Sequence, residues 1–223
     1  MRPVSQSAAA SLDAPRSAPS RFAPFRLAPF RLVFALFLLA PFLSACGVNN
    51  VPTLEESAKA RWAEVQNQYQ RRADLIPNLV ETVKGYAAQE RDVLTAVTEA
   101  RAKATQTTIQ ADQLTDPAAV QRYQMAQEQL SGALSRLLVT VERYPDLKSN
   151  ANFMALQSQL EGTENRIAVA RRDYIEAVQA YNTELRTVPG RWIAGFLYPD
   201  AKPMQVFEAR VGADTPPPVS FRP

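Results

Sequence analysis

The chain contains no histidine and one cysteine among its 223 residues. An intrachain disulfide is therefore impossible, and zinc sites built from Cys and His are excluded. Dimetal carboxylate bundles require Glu-x-x-His pairs on two helices, which a chain without histidine cannot supply. The usual general base for a serine or cysteine nucleophile is missing for the same reason. We therefore expect no metal, no cofactor and no enzymatic activity, and a histidine-free hydrolase is the least favoured of the functions considered.

Glycine is also scarce, with seven residues against seventeen prolines. Most prolines lie before residue 53 or after residue 188, so they bracket a proline-poor middle. No segment shows the alternation of polar and apolar residues that is typical of a β-strand. The fold class predicted from these features and from the helical periodicity described below is all-α.

The charge of the chain is distributed unevenly. Five of the 25 basic residues and one of the 22 acidic residues precede Cys46, which leaves 20 basic and 21 acidic residues from Cys46 onward. That part of the chain is close to neutral. A nucleic-acid partner, which would need a basic surface, is therefore not expected.

An apolar run from Leu32 to Leu43 precedes the cysteine. Its length is below the roughly 20 residues of a spanning helix but fits the h-region of a signal peptide, about 7–15 residues. Leu43-Ser44-Ala45-Cys46 has the pattern of a bacterial lipobox. We predict that residues 1–45 are a low-complexity leader plus a lipoprotein signal peptide, cleaved between Ala45 and Cys46, with lipid attached to the Cys46 thiol.

This lipid predicts a membrane partner and a location in the cell envelope. The alternative is an uncleaved N-terminal anchor in which Cys46 carries no lipid. Both anchors place the following domain outside the cytoplasm. Gly47 follows the cysteine, where an aspartate would indicate retention at the inner membrane, so the outer membrane of a two-membrane bacterium is favoured.

Residues 46–188 are predicted to form an antiparallel, up-and-down four-helix bundle of long helices. The helices span about Thr53 to Ile76, Asn78 to Thr108, Asp116 to Pro145 and Phe153 onward, with Pro189-Gly190 ending the last. Thr53-Leu54-Glu55-Glu56 fits a capping box, and Asp116 fits an N-cap before Pro117. Glu90 falls on the inward face of the second helix and would need a polar partner there. The last helix has the clearest period, since apolar residues recur in steps of three and four over more than four heptads. Pro77 leaves one alternative open, a single kinked helix from Thr53 to Thr108. We favour a chain reversal at Pro77 because it gives helices of more equal length.

Several of these stretches resemble the LemA family of membrane-anchored bacterial proteins. They are Arg71–Tyr86, Leu134–Leu138, Tyr144–Lys148, Asn152-Phe153, Leu156-Gln157, Glu161–Ala168 and Tyr181-Asn182, in that order. The resemblance implies a four-helix bundle outside the cytoplasmic membrane, usually behind a transmembrane segment, with no established catalytic activity. The chain departs from the family in having Gln89 where His is frequent and a lipobox in place of an ordinary spanning helix.

With a reversal at Pro77, two proline-bearing turns would meet at the end of the bundle far from the membrane. Their polar residues form a candidate pole for binding a partner: Arg71, Arg72, Asp74, Asn78, Tyr144, Asp146, Lys148 and Asn150. Helix N-termini beside Arg and Lys suit an anion or a carboxylate of a partner. The alternative is that these residues only cap helices and lock the two turns.

The predicted function is that of an interaction or scaffolding module in the cell envelope, with an envelope protein as its partner. The main alternative is a bundle that binds a lipid, a wall fragment or another small molecule, using Tyr86, Tyr174 and Tyr181 with Glu90. Residues 189–223 are predicted to form a short amphipathic segment and a proline-rich tail. The amphipathic segment either lies in the lipid interface or packs on the base of the bundle.

Overall fold

The computed structural model describes residues 47–208, and these residues are helical throughout most of their length. The helices are α1 (Asn50–Tyr86), α2 (Arg91–Gln106), α3 (Pro117–Val141), α4 (Pro145–Lys148), α5 (Ala151–Glu184) and α6 (Gly190–Leu197), with a 3-10 turn at Ala111–Thr115. The predicted all-α class is confirmed, and residues 47–208 contain no strand. The predicted cleavage site, the Cys46 lipid site and the proline-rich tail lie outside the described residues. None of the described helices is both long and apolar enough to cross a bilayer.

The predicted reversal at Pro77 is wrong, because α1 continues through this residue to Tyr86. Proline has no N–H, so the carbonyl four residues earlier, that of Ala73, loses its helical donor. Arg101 on α2 replaces that donor, with Nε 2.7 Å from the Ala73 oxygen. Pro77 itself lies on the exposed side of α1. A contact between helices therefore allows the proline to stay inside α1.

We expect Arg101→Met to lower the free energy of unfolding by about 1–3 kcal/mol, because the buried Ala73 carbonyl would lose its donor. In a Pro77→Ala background residue 77 regains an N–H for that carbonyl, so the same Arg101→Met change should cost less. Urea unfolding of the parent, the two single variants and the double variant measures this coupling. An equal effect of Arg101→Met in both backgrounds would contradict this explanation.

The helix caps agree with the sequence in one place and differ in another. Asp116 was predicted as an N-cap, and its Oδ1 accepts from the Ala118 N–H at 2.9 Å, with Pro117 as the first helical residue. The capping box predicted at Thr53 is wrong, because α1 begins earlier, at Asn50. Asn150 caps α5, since its Oδ1 accepts from the N–H groups of Asn152 and Phe153, the second and third helical residues.

Contacts at both ends of α1 show that α1 and α5 run antiparallel. At the start of α1, the Asn50 Nδ2 donates to Glu184 Oε1 near the end of α5, at 3.4 Å. At its other end, the Asn150 Nδ2 donates to the Tyr86 hydroxyl at 2.9 Å. We call the end with Asn50 proximal and the end with Tyr86 distal. α1 packs most extensively against α5, and α2 packs against α3.

The buried apolar residues form two clusters, one toward each end of α1. The distal core includes Ile76, Leu79, Val83, Leu94, Val97, Leu130, Leu137, Phe153 and Leu160. The proximal core includes Val51, Trp62, Val65, Tyr123, Ile167, Tyr174, Tyr181, Met204 and Phe207. The predicted seam of α5 is confirmed, because every third or fourth residue from Phe153 to Tyr181 is buried or half-buried.

The proximal core includes residues from beyond the last helix. α2 returns along α1 only to the level of Gln66, whose Nε2 donates to the Ile109 carbonyl at 3.1 Å. Residues 198–208, which we call the C-terminal segment, pack beside the proximal part of α1 and α5. They supply the buried side chains of Met204 and Phe207. The proximal half of the fold is therefore completed by a segment that has no helical period in the sequence.

Candidate functional site

The eight residues of the predicted pole are not brought together. Because α1 continues past Pro77, Arg71, Asp74 and Asn78 lie on its exposed side, more than two turns before its distal end. Asp74 accepts from Gln70 within the same helix at 2.7 Å. The second turn keeps its distal position: Asp146 is exposed there and Lys148 pairs with Glu142.

A different polar cluster occupies the distal end. Its members, which we call the distal cluster, are Tyr86, Gln89, Glu90, Arg143, Tyr144 and Asn150. They come from the end of α1, the start of α2 and the connections on both sides of α4. Tyr144 and Asn150 belonged to the predicted pole, whereas the other four members did not.

Glu90 is the centre of the distal cluster. Its Oε1 accepts from the Tyr144 hydroxyl at 2.7 Å and from Arg143 Nη2 at 3.0 Å. Gln89 Nε2 donates to the same tyrosine hydroxyl at 3.0 Å. The hydrogen bond to the Glu90 carboxylate raises the pKa of the Tyr144 phenol. The side-chain periodicity had placed Glu90 on an inward face as a polar residue in need of a partner, and the structure provides two.

Arg72 is buried near the middle of the helices, with a side chain only 1% exposed. Its Nη1 donates to Ser131 Oγ at 2.9 Å and pairs with Glu164 Oε1 at 2.8 Å. Its Nη2 donates to Gln127 Oε1 at 2.8 Å. The guanidinium also lies 5.0 Å from the centre of the Tyr69 ring. Arg72 therefore ties α1 to α3 and α5 from inside the fold and is not part of an exposed pole.

A sequence signal for this burial exists. Arg72 follows Tyr69 by three residues and precedes Ile76 by four, and both neighbours are buried. This is the same step that defines the apolar face of α1. The spacing thus indicates that Arg72 lies on the inward face of α1. Its burial was not predicted because a turn was expected at Pro77.

An aromatic cluster surrounds Trp62 in the proximal core. Its ring centroid lies 5.2 Å from that of Tyr123, 5.3 Å from that of Tyr174 and 5.7 Å from that of Phe207. Burial raises the pKa of both tyrosines, which keeps their phenols neutral. The guanidinium of Arg171 covers the Phe207 ring at 4.4 Å. The C-terminal segment is therefore fixed to the core by an aromatic anchor.

Two side-chain amides hold the backbone of the C-terminal segment. The Asn182 amide accepts from the Met204 N–H at 2.9 Å and donates to the Met204 carbonyl at 2.9 Å. Gln124 makes the same pair of bonds with Glu208, at 3.2 and 2.8 Å. Between them, the Tyr174 hydroxyl donates to the Gln205 carbonyl at 2.8 Å. Helices α3 and α5 thus bind this segment largely through its main chain.

The aromatic residues of the predicted ligand site are not assembled. Tyr174 and Tyr181 lie in the proximal core, whereas Tyr86 and Glu90 lie at the distal end.

A cavity of about 100 Å³ is lined by polar groups of Gln66, Tyr69 and Gln127. Typical ligand pockets measure about 300–1,000 Å³, so this cavity suits a few water molecules better than a lipid. A larger groove of about 520 Å³ runs between α3 and α5 over Leu134, Leu138 and Leu160.

Among residues 47–208, no group of three or more acidic or thiol side chains is placed to hold a metal ion.

Exposed apolar residues concentrate at the proximal end, on and just before α6. Gly190 at the start of α6 packs closely on α5, because a Cβ there would lie 2.3 Å from the Glu184 carbonyl oxygen. This glycine brings α6 directly against the end of α5.

Comparison with known proteins identifies the family. The model of the LemA family matches residues 61–221 of this chain. The magnetosome proteins MamQ 1 and MamQ 2 of Paramagnetospirillum magneticum are each 26% identical to it over 187 residues, which cover 75% of this chain and 67% of theirs. The magnetosome protein MamQ of Magnetospirillum gryphiswaldense is 24% identical over 184 residues, with the same coverage. Since the match extends over well more than half of its length, the chain belongs to the LemA family.

Proposed function

We propose that this protein is a non-enzymatic lipoprotein of the cell envelope, anchored through Cys46, whose extracytoplasmic four-helix bundle binds a protein partner at the distal cluster. The outer membrane is the favoured location. The proposal does not extend the magnetosome role of MamQ to this chain, because identities of 24–26% support a common family and not a common partner.

One observation carries the proposal: the chain enters at one end of α1 and the distal cluster lies at the other. Gly47 is close to the start of α1, and Tyr86 is its last residue. A helix of 37 residues is about 55 Å long at 1.5 Å per residue. An anchor before Gly47 would thus leave the distal cluster well away from its attachment point, where a partner can reach it.

The composition of the distal cluster suits a protein partner. Tyrosine and arginine are enriched at protein interfaces, and both are present here with partly exposed side chains. Their hydrogen bonds to Glu90 and Asn150 hold them in place before binding, which reduces the entropy lost on association. The cluster contains both charge signs, so it suits a mixed polar surface better than a uniformly charged ligand.

The anchor is tested by intact mass spectrometry of the chain purified from membranes. We expect a mature protein that begins at Cys46 and carries the mass of a diacylglyceryl group. Cys46→Ser should remove the lipid and leave the leader attached, because the thiol is the acceptor. A wild-type chain that retains residues 1–45 without lipid would overturn this part of the proposal.

The partner is tested with a photo-cross-linking amino acid at Arg143 in the distal cluster. The matched control position is Arg172 on α5, since the two side chains are almost equally exposed, 65% and 66%. We expect an adduct of defined mass from position 143 only, and its loss on Glu90→Gln. Adducts from both positions, or from neither, would contradict a distal binding site. Thermal stabilisation by lipids or wall fragments would instead favour a ligand site in the groove between α3 and α5.

A further inference from the structure

The exposed apolar residues of the described chain are concentrated in one short stretch. Val188, Trp192, Phe196 and Leu197 are 58%, 69%, 86% and 47% exposed, and all lie within ten residues. Other large exposed apolar side chains, such as Val139 and Met154, are scattered singly along the helices. Single exposed apolar residues are ordinary, whereas a contiguous group indicates a contact surface. We call these four residues the proximal face.

Three of the four residues of the proximal face, Trp192, Phe196 and Leu197, belong to the short helix α6, and Val188 lies just before it. Trp192 and Phe196 are four residues apart in α6, so they lie on the same side of it. Ala194 on the opposite side is buried, and Ile193 is half-buried. The aromatic side chains therefore point away from the core while the small residues of α6 contact it. One predicted alternative was that this segment packs on the base of the bundle, and Gly190 and Ala194 do pack there, whereas Trp192 and Phe196 lie outside that contact.

The chain enters the fold directly beside this helix. Gly47 lies against Ile193 and Pro189, since a Cβ on Gly47 would be 3.5 and 3.9 Å from their side chains. The Tyr198 hydroxyl donates to the Val48 carbonyl at 3.3 Å. The residue before Gly47 is Cys46, and the apolar run Leu32–Leu43 precedes it. A lipid on Cys46, the residue next to Gly47, would therefore attach to the membrane close to the proximal face.

The chemistry of the proximal face fits a bilayer surface. Tryptophan is favoured at the boundary between headgroups and acyl chains, and phenylalanine and leucine on one side of a short helix insert just below it. Arg186, Arg191 and Lys202 are exposed in or within five residues of α6, against one exposed acidic residue, Asp200, and the basic excess complements anionic headgroups. A hydrophobic contact with basic residues nearby is the arrangement found in interfacial helices.

We propose that the proximal face docks on the lipid bilayer that carries the anchor, so that α6 is a second membrane contact. This inference rests on the proposed membrane anchoring. A single attachment at Cys46 would not fix the orientation of the domain. A second contact through α6, beside the point where the chain enters the fold, would hold α1 at a defined angle to the bilayer and keep the distal cluster turned away from it.

The two tryptophans of the chain allow a direct test. Trp62 is 2% exposed in the core, so quenchers reach mainly Trp192. The full processed chain is reconstituted into vesicles of phosphatidylethanolamine and phosphatidylglycerol, and vesicle flotation is checked first. Acrylamide then reports exposure to water, and a lipid with a nitroxide high on its acyl chain reports insertion. We expect the nitroxide lipid to remove most of the Trp192 emission and acrylamide to remove little.

Phe196→Ser supplies the variant, because its side chain is the most exposed of the face and its loss should leave the fold intact. It should reduce quenching by the nitroxide lipid and increase quenching by acrylamide. Val139→Ser, at a 71% exposed position of α3, is the matched control and should change neither.

The other outcomes overturn the inference in distinguishable ways. A chain that does not float with the vesicles would refute the anchoring as well. A chain that floats but leaves Trp192 open to acrylamide would refute only the membrane contact. Protection from both quenchers would show that the face is covered by protein, either a second copy if the protection falls on dilution or another part of this chain if it does not.

Discussion

Arg72→Ala is expected to lower the free energy of unfolding by about 2–4 kcal/mol, since it leaves a cavity and removes the donor of a buried acceptor. The largest part of this loss comes from Gln127 Oε1, which would be left without a donor. Gln127 is 6% exposed, so water can hardly replace the guanidinium there. Glu164 contributes less to the loss, since its side chain is 47% exposed and can be hydrated when the guanidinium is gone. Urea unfolding followed by circular dichroism measures the change.

The matched control for this prediction is the neighbouring residue. Arg71→Ala removes an equal charge from the exposed side of the same helix turn, and it should alter stability by no more than about 0.5 kcal/mol. Arg72→Met retains most of the side-chain volume, so it should recover part of the stability lost in the alanine variant. Equal effects of Arg71→Ala and Arg72→Ala would show that the buried network does not stabilise the fold.

Phe207→Ala is expected to lower the free energy of unfolding, measured by urea unfolding, by about 3–5 kcal/mol. This is the usual range for deleting a buried phenylalanine ring. The ring packs against Trp62 and Tyr174 and is covered by Arg171, so its loss opens the proximal core from one side. The same substitution should also expose Trp62 to acrylamide, which the urea experiment alone would not reveal.

Val206→Ala is the control for this second prediction, because Val206 is adjacent and 39% exposed. Its cost should stay below about 1 kcal/mol. If Phe207→Ala were equally mild, the C-terminal segment would be an accessory of the fold and not a part of its core.

The sequence predicted those elements whose determinants are local or periodic. The apolar seam of α5 repeats over nine positions. Asp116 supplies a side-chain acceptor for a free N–H of α3, and Pro117 has no N–H that would need an acceptor at the first helical position. Glu90 was identified as a polar residue that requires a partner. In each of these cases the physical cause lies within a few residues of the effect.

The failures arose where the cause lies elsewhere in the chain. Pro77 remains helical because Arg101, 24 positions further on, donates to the carbonyl that the proline leaves free. The burial of Arg72 was not predicted, because the reversal expected at Pro77 assigned this residue to an exposed turn. The packing of Met204 and Phe207 could not be foreseen, since a short segment outside the helices has no period to indicate which side chains are buried.

The paired amide bonds from Asn182 and Gln124 have a consequence for how this protein can change during evolution. Those amides form hydrogen bonds with main-chain atoms only. Every residue type except proline can therefore supply the N–H and C=O that they require at positions 204 and 208. Side-chain identity is constrained where the segment packs on the core, at Met204 and Phe207 and, less deeply, at Tyr198 and Ala201. The intervening and outward positions are free to drift, so new surface chemistry can be acquired beside α3 while the attachment of the segment stays intact.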